Sequence, residues 1–373
     1  MGLSKIEIER YSRHLSLEKV GYAGQEKLKS AKVLVVGAGG LGCPILQYLV
    51  AAGVGELGIV DFDKVEESNL QRQVLFNSDI VGTNKALSAK IQLEKLNSFV
   101  KLKAYPKKLT AENAVSLFKL YDFIIDGTDN FTTRYLVNDA AVLSKKPFIY
   151  GAIYRFEGQL SVFNYQNGPT YRCLFPNPSQ LLAEANCSEA GVLGVLPGII
   201  GTYMANEAIK IILGIGNVLS GKLMLINTLN NTTSTININP LKEEIAKVHE
   251  FGISTSQQDY VCDSDHPVKE ISVVELRERL ARKENIQFLD IREAHELPKP
   301  NELQGLSIPF AELPERHLEV SKSKLTVVYC QSGIRSKQAI HFLQEKHAHK
   351  MLLNLKGGIN SWLEEANLLE KQI

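Results

Sequence analysis

The run Gly37-Ala38-Gly39-Gly40-Leu41-Gly42 directly follows the apolar segment Ala31-Lys32-Val33-Leu34-Val35-Val36 and precedes the helix-forming segment Pro44–Ala52. No other feature of the chain restricts its fold as much. A strand that is apolar at successive positions is buried on both faces, as in a parallel sheet. Glycines in the turn after it let the backbone approach a phosphate. The helix that follows offers free N–H groups and positive potential to that anion. The next strand, Glu56-Leu57-Gly58-Ile59-Val60-Asp61, ends in a carboxylate, where a sugar hydroxyl can be held. A helix over Asn84–Asn97 and strands over Val100–Tyr105, Phe123–Asp126 and Pro147–Tyr150 continue an alternation that predicts a doubly wound sheet. Gly158–Tyr165 and Lys222–Ile226 read as later, antiparallel strands.

The chain has 373 residues and a net charge of +1 from 42 Lys and Arg against 41 Asp and Glu. At about 150 residues per domain this length suggests two domains, possibly more. A balanced charge leaves no electrostatic footprint for nucleic acid or an anionic membrane. The start, MGLSKIEIERYSRH, has neither the apolar core of a signal peptide nor a myristoylation pattern. Gly191–Ile215 is the most apolar stretch, but Pro197, Asn206, Glu207 and Lys210 interrupt it. It is expected to be a buried loop followed by a core or interface helix, not a membrane span. Residues 4–29 are expected to be helical. The five cysteines, Cys43, Cys173, Cys187, Cys262 and Cys330, are too sparse for a disulfide framework. A cytoplasmic location follows as an expectation, with any notable cysteine reactive instead of structural.

A glycine loop alone leaves NAD, FAD and ATP open, as well as a tight turn with no ligand. Further blocks narrow the choice: Asp61-Phe62-Asp63, Ser68-Asn69-Leu70-Gln71-Arg72-Gln73, Gly82-Thr83-Asn84-Lys85 and Asp126-Gly127-Thr128-Asp129-Asn130. In this order and spacing, over residues 5–235, the chain resembles the bacterial MoeB/ThiF group of the ubiquitin-activating enzyme family. The resemblance implies an ATP site in which Gly37, Gly39, Gly40 and Gly42 line the nucleotide and Asp61 holds the ribose. It implies that Asn69, Arg72 and Lys85 serve the phosphates, and that Asp129, beside Asn130, holds Mg²⁺. Arg13 looks like the arginine donated to the partner subunit's site, which implies a homodimer; a solvated helix face is the plainer reading of Arg13. Cationic groups fit adenylation, which must stabilise charge between the α-phosphate and departing pyrophosphate.

Many members of that family hold a structural zinc between two Cys-x-x-Cys pairs. Here the first pair reads Thr170-Tyr171-Arg172-Cys173, and the second is missing after Asn239-Pro240-Leu241-Lys242. No structural zinc is expected, and Cys173 is expected to be a packed thiol. Cys43 is expected to pack at a helix start. Cys187, in Asn186-Cys187-Ser188-Glu189-Ala190-Gly191, stands where the family often has a cysteine near the adenylate. It reads either as a thiol that attacks an acyl intermediate or as a buried loop residue.

A second α/β pattern starts near residue 268. Helix Ser272–Lys283, strand Ile286–Asp290, strand Leu325–Tyr329 and helix Ser336–Lys346 are expected. Cys330 opens the loop Gln331-Ser332-Gly333-Ile334-Arg335 between the last two. Backbone N–H groups, the helix N-terminus and Arg335 would all favour an anion on its sulfur. With Phe288-Leu289-Asp290-Ile291-Arg292-Glu293 and Leu355-Lys356-Gly357-Gly358-Ile359-Asn360-Ser361-Trp362, residues 265–370 resemble the rhodanese sulfurtransferases. The loop is one residue shorter than in phosphatases of related fold, which suits a persulfide sulfur better than a phosphate.

The expected fold class is therefore α/β: a Rossmann-like doubly wound sheet of the ThiF/MoeB type over residues 1–240, a linker over 241–267, and a smaller rhodanese domain over 268–373. The expected activity is adenylation of the C-terminal glycine of a small ubiquitin-like sulfur carrier ending in Gly-Gly. Sulfur transfer from a Cys330 persulfide follows, with Cys187 and Arg72 also catalytic. ATP and Mg²⁺ are the expected cofactors. Thiosulfate or a cysteine desulfurase persulfide is the expected sulfur donor, and neither nucleic acid nor membrane is a partner. Molybdopterin, thiamine and tRNA thiolation remain open as destinations. An NAD-dependent oxidoreductase fused to a rhodanese domain, a non-catalytic docking module, and carrier conjugation through a Cys187 thioester remain open as alternatives.

Overall fold

The apolar run after residue 31 forms the strand β1 (Lys32–Val36), and its side chains divide between two cores. Val33 and Val35 enter one cluster with Leu46, Leu49 and Leu93, whereas Leu34 and Val36 enter another with Phe118, Tyr135 and Ala140. This alternation is why no polar residue follows Lys32 in the strand: successive side chains point to opposite faces, and both faces are covered by helices. The computed structural model describes residues 2–176, 191–253, 268–293 and 296–370. It divides into two units, residues 1–262 and 263–373.

In the first unit, β1 pairs in parallel with β2 (Glu56–Val60) on one side and β4 (Phe123–Asp126) on the other. The eight strands run β3-β2-β1-β4-β5-β6-β7-β8, with β3 at Lys101–Tyr105, β5 at Phe148–Tyr154, β6 at Glu157–Phe163, β7 at Lys222–Asn227 and β8 at Thr232–Asn237. Strands β1 to β5 are parallel. Strands β6, β7 and β8 continue the sheet antiparallel, as expected for Gly158–Tyr165 and Lys222–Ile226. The strand order reverses between β1 and β4, which remain parallel, and the crevice outside their carboxyl ends is where such sheets bind ligands.

The amino-terminal segment is three helices, Lys5–Arg10, Ser12–Leu15 and Gly21–Ser30, not one. The first begins with a reciprocal cap, in which the Glu7 N–H reaches Ser4 Oγ at 3.3 Å and the Ser4 N–H reaches Glu7 Oε2 at 2.8 Å. The apolar stretch near residue 200 is the helix Val195–Leu213, with Pro197 in its first turn and Ile200, Met204 and Ala208 in the core. No helix of the described residues is long and apolar enough to cross a membrane. The segment 241–267, expected to link the units, opens with the helix Lys242–Phe251, whose Val248 is buried while Ile245 packs on the second core.

The second unit is a five-stranded parallel sheet ordered β11-β10-β12-β13-β9, with β9 at Glu270–Ile271, β10 at Ile286–Asp290, β11 at Leu306–Ser307, β12 at Leu325–Tyr329 and β13 at Leu352–Leu355. Here too a central strand serves two cores. Val328 and Cys330 join Ala339, Ile340 and Leu343, while Val327 and Tyr329 join Leu276 and Trp362. The helix Ile334–His347 starts directly after the Cys330 loop.

Candidate active site

At the carboxyl ends of β1, β2 and β4 lies a cavity of about 530 Å³. Gly37, Gly39, Gly40 and Leu41 form its floor, and Asp61, Arg72, Lys85, Asp129 and Asn130 line its walls. Gly37 adopts φ +93°, and a Cβ there would stand 2.9 Å from Gly127 O. At Gly42 a Cβ would collide with Gly37 O, so these two glycines are demanded by the turn itself. Around Gly39 the nearest atom to such a Cβ is Gln73 Nε2 at 3.7 Å, which leaves the backbone open to a ligand.

Asp61 ties this loop to the neighbouring strand. Its Oδ2 accepts the Ala38 N–H at 2.8 Å and its Oδ1 accepts the Asp63 N–H at 2.9 Å. Burial pushes its carboxyl above the ordinary value, against the pull of those two amides. Lys85 opens the helix Lys85–Leu96 and is buried, with Nζ 3.4 Å from Asp63 Oδ2. Arg72 donates from Nη1 to Ser68 O at 3.0 Å, which turns its side chain along the loop beneath the cavity. Asp129 is exposed to the cavity, while its neighbour Asp126 is fully buried. Asp126 Oδ1 accepts from Thr128 N at 3.0 Å and Thr128 Oγ1 at 2.6 Å, a turn that aims the following residues at the cavity. Asp126 Oδ2 has no hydrogen-bond partner among the described residues, and burial raises this carboxyl as well.

Three expected residues stand apart from this lining: Gly42, which packs against Gly37 O within the turn, Asn69 and Arg13. Asn69 is buried under the loop, where its Oδ1 accepts the Glu66 N–H at 3.2 Å, so it shapes the Arg72 segment from below. Arg13 is exposed on the helix Ser12–Leu15 and does not line the cavity of its own chain. The lining also contains residues that sequence reasoning gave no role: Gln73, Lys107, Lys108, Arg134 and Arg155. Lys107 and Lys108 follow the carboxyl end of β3, the one signal that could have marked them. The Arg134 guanidinium lies 5.3 Å from the Phe131 ring centroid and 5.5 Å from that of Tyr150, and donates to Thr128 O at 3.2 Å.

Cys173 is buried, and its sulfur accepts the N–H groups of Thr170 at 3.3 Å and Leu241 at 3.2 Å. Among the described residues no group of three or more His, Cys, Asp or Glu side chains gathers as metal ligands. Cys43 is buried in the helix Gly42–Ala51, and burial pushes its thiol up to about 12. Cys187 and Cys262 lie outside the described residues.

In the second unit Cys330 is fully buried at the end of β12, and its sulfur accepts the Gly333 N–H at 3.1 Å. Gly333, at φ +87°, makes the turn that aims this amide at the sulfur. Gln331 is clamped: Arg292 Nη1 donates to its Oε1 at 3.2 Å, and its Nε2 donates to Asn360 Oδ1 at 2.6 Å. Ser332 is exposed between them, and Ile334 begins the following helix. Arg335, expected to add positive potential beside the sulfur, gives both terminal nitrogens to Glu296 at 2.8 and 2.7 Å. That fork holds the Glu296 carboxyl below the ordinary range. Arg292 is likewise forked onto Asp290.

The geometry defines a doubly wound unit with a glycine-loop cavity, followed by a parallel α/β unit with a cysteine loop. Residues 11–247 match the ThiF family, and residues 272–365 match the rhodanese-like domain. The chain belongs to the ThiF family and carries a C-terminal rhodanese-like domain. It is 54% identical over 234 residues, 61% of this chain and 86% of the relative, to a sulfur carrier protein adenylyltransferase of Thermus thermophilus. It is 40% identical to the probable adenylyltransferase/sulfurtransferase MoeZ of Mycobacterium tuberculosis, over 97% of this chain and 94% of the relative. A probable molybdopterin-synthase adenylyltransferase of Porphyra purpurea is also 40% identical, over 95% and 93%. Among solved structures, E. coli MccB with ATP aligns at a TM-score of 0.55 and 25% identity, covering 64% of this chain and 73% of that one.

Proposed function

We propose that the first unit adenylates the C-terminal glycine of a small ubiquitin-like sulfur carrier and that the second supplies sulfur from a persulfide on Cys330. The chain is an adenylyltransferase with a sulfurtransferase domain, as its relatives' names support. The observation that carries the reading of the first site is one cavity that brings the glycine loop, Arg72, Lys85 and Asp129 together. A hydride-transfer enzyme would leave these charged groups without work.

The glycine loop cradles the phosphates, and Asp61, fixed by two amides, accepts from the ribose. Arg72 and Lys85 meet the negative charge that grows between the α-phosphate and the departing pyrophosphate. Asp129, a hard carboxylate open to the cavity, suits Mg²⁺ travelling with ATP, which would neutralise part of that charge. The carrier's carboxylate attacks the α-phosphate, and pyrophosphate leaves. The terminal sulfur of the Cys330 persulfide then attacks the acyl carbon, and AMP leaves. The resulting acyl disulfide is cleaved by a thiol, a role for which Cys187 is our candidate, releasing a thiocarboxylate and leaving a disulfide for reduction. The donor that loads Cys330 is thiosulfate or a protein persulfide.

We further propose a homodimer in which Arg13 reaches the partner's nucleotide. Two features support it: the exposed position of Arg13, and the exposed Tyr48, Leu87, Ile91 and Tyr203 on three helices of one core. The sparse thiols fit a cytoplasmic setting. The test is incubation with Mg²⁺-ATP, a sulfur donor and a Gly-Gly carrier, followed by weighing the carrier. Exchange of one carboxylate oxygen for sulfur is expected. Absence of both this exchange and carrier-dependent pyrophosphate exchange would overturn the proposal.

A further inference from the structure

A nucleotide fills only one half of the cavity in the first unit. The strand order β3-β2-β1-β4-β5 sets the turns along its floor in the same order. In a doubly wound sheet the glycine turn after β1 takes the phosphates and the acid after β2 takes the ribose, so the base continues toward β3. On the other side, past Asp129, the lining continues with Ile153, Tyr154 and Arg155 of the β5–β6 hairpin and with Gly191 and Val192. That half is left for the second substrate.

Arg155 stands at the tip of the hairpin, between Tyr154 at the end of β5 and the β6 residues that begin with Glu157. Its backbone is left-handed, φ +53°, a conformation that glycine adopts without strain and arginine does not. The tip is held from two sides. Tyr154 pairs with Glu157 across the hairpin, and Arg155 O accepts the Leu193 N–H at 3.2 Å beside a parallel bridge to Val192. A strained, fixed position thus carries a long cationic side chain where glycine would satisfy the turn. The exposed guanidinium lies 5.1 Å from the Tyr154 ring centroid, which occupies one of its faces and leaves its N–H edge open. Arg72 and Arg134, the other arginines of the lining, are tied to the backbone carbonyls of Ser68 and Thr128. Among the described residues the Arg155 side chain makes no hydrogen bond or ion pair, and the nearby acid Glu157 accepts instead from Asn227 Nδ2 at 2.9 Å.

We infer that Arg155 receives the terminal carboxylate of the carrier and brings it to the α-phosphate. The inference rests on the adenylation reading of this cavity. Both reactants are anions, so a carboxylate that approaches a triphosphate is repelled. An open guanidinium edge offers it two parallel hydrogen bonds and a charge that opposes the repulsion. In the reaction a carboxylate oxygen bonds to the α-phosphorus as the bond to pyrophosphate breaks, and no proton moves. The mixed anhydride has lost the carboxylate charge, so Arg155 holds the substrate more tightly than the product. An interaction already made in full before the reaction lowers KM for the carrier and adds nothing to kcat.

The test is carrier-dependent pyrophosphate exchange by the full chain, with a sulfur carrier ending in Gly-Gly varied at saturating Mg²⁺-ATP. Arg155→Gly removes the side chain and suits the left-handed turn, so the hairpin is kept. It should raise KM for the carrier about tenfold, with kcat and KM for ATP within about twofold of wild type. The same carrier ending in a carboxamide cannot be adenylated and serves as a competitive inhibitor. Its Ki should be the same for wild type and Arg155→Gly, because the charge that Arg155 grips is missing. An unmoved carrier KM would overturn the inference, as would a fall in kcat at unchanged KM. A carboxamide Ki that rises as much as the carrier KM would also overturn it, since Arg155 would then read another part of the carrier. If the wild-type chain shows no exchange with any such carrier, the adenylation reading itself fails and this inference with it.

Discussion

Leu241 donates its backbone N–H to the Cys173 sulfur at 3.2 Å, across 68 residues of chain. The sulfur also accepts from Thr170, so one buried and one partly buried amide depend on a thiol at the place where the family resemblance implies a zinc site. The thiol closes that corner by hydrogen bonding. Metal analysis of the purified protein should find no zinc in stoichiometric amount, and chelators should leave its melting temperature unchanged. Cys173→Ala should cost about 2 kcal/mol in a denaturant titration, since it strands both amides.

Charge placement in the nucleotide cavity leads to a kinetic expectation. Asp129→Ala should abolish carrier-dependent pyrophosphate exchange, and Arg72→Ala or Lys85→Ala should reduce it about 10²–10³-fold. Exchange retained in Asp129→Ala would remove the metal-binding role given to that residue.

The two half-reactions should separate by mutation. Cys330→Ala should leave pyrophosphate exchange intact and eliminate sulfur incorporation into the carrier. Incorporation that persists would make the second unit a docking module.

Arg13 offers a complementation experiment. Arg13→Ala and Asp129→Ala chains, each inactive alone, should regain about a quarter of the wild-type sites when mixed and allowed to exchange protomers, because one site of each mixed dimer is whole. No recovery in a mixture shown by native mass spectrometry to contain mixed dimers would place Arg13 outside the nucleotide site.

His349 gives the second unit a dependence on pH. It is buried, and neither ring nitrogen has a hydrogen-bond partner among the described residues. Burial, with Lys322, His347 and His317 nearby, holds its proton affinity below the ordinary value of 6.5. The unfolded chain therefore binds the proton more tightly, so this contribution is whole above about pH 6.5 and is lost progressively as the pH falls below it. Thermal melts from pH 7.5 to 5.5 should show the decline, and His349→Leu should flatten it.

Much of this arrangement was legible in the sequence because it is local. The glycine loop, its flanking strand and Asp61 fall within one strand–turn–helix–strand unit, and Cys330 opens a turn bounded by a strand and a helix. What was not legible depends on strands meeting in space. Lys107, Lys108 and Arg155 reach the cavity only because β3 and the β5–β6 hairpin end at the same edge as β1. Asn354 meets both Ser336 and Glu270 only because β13 lies between β12 and β9. The helix Lys242–Phe251 was hidden by its charges, since Val248 is its one buried residue. The pairing of Arg335 with Glu296 was not legible because Glu296 lies on a different loop.

The nucleotide cavity draws its lining from the turns after β1, β2, β3 and β4 and from the β5–β6 hairpin. No short peptide cut from the chain holds more than a fragment of it, so on the proposed reading nucleotide would recognise the native state alone. Ligand supply and conformational equilibrium are then linked by mass action. At a nucleotide concentration a hundredfold above Kd, the native first unit gains about 2.7 kcal/mol over its unfolded ensemble. The site thus doubles as a clasp: five separately encoded turns are held in register for as long as nucleotide is plentiful.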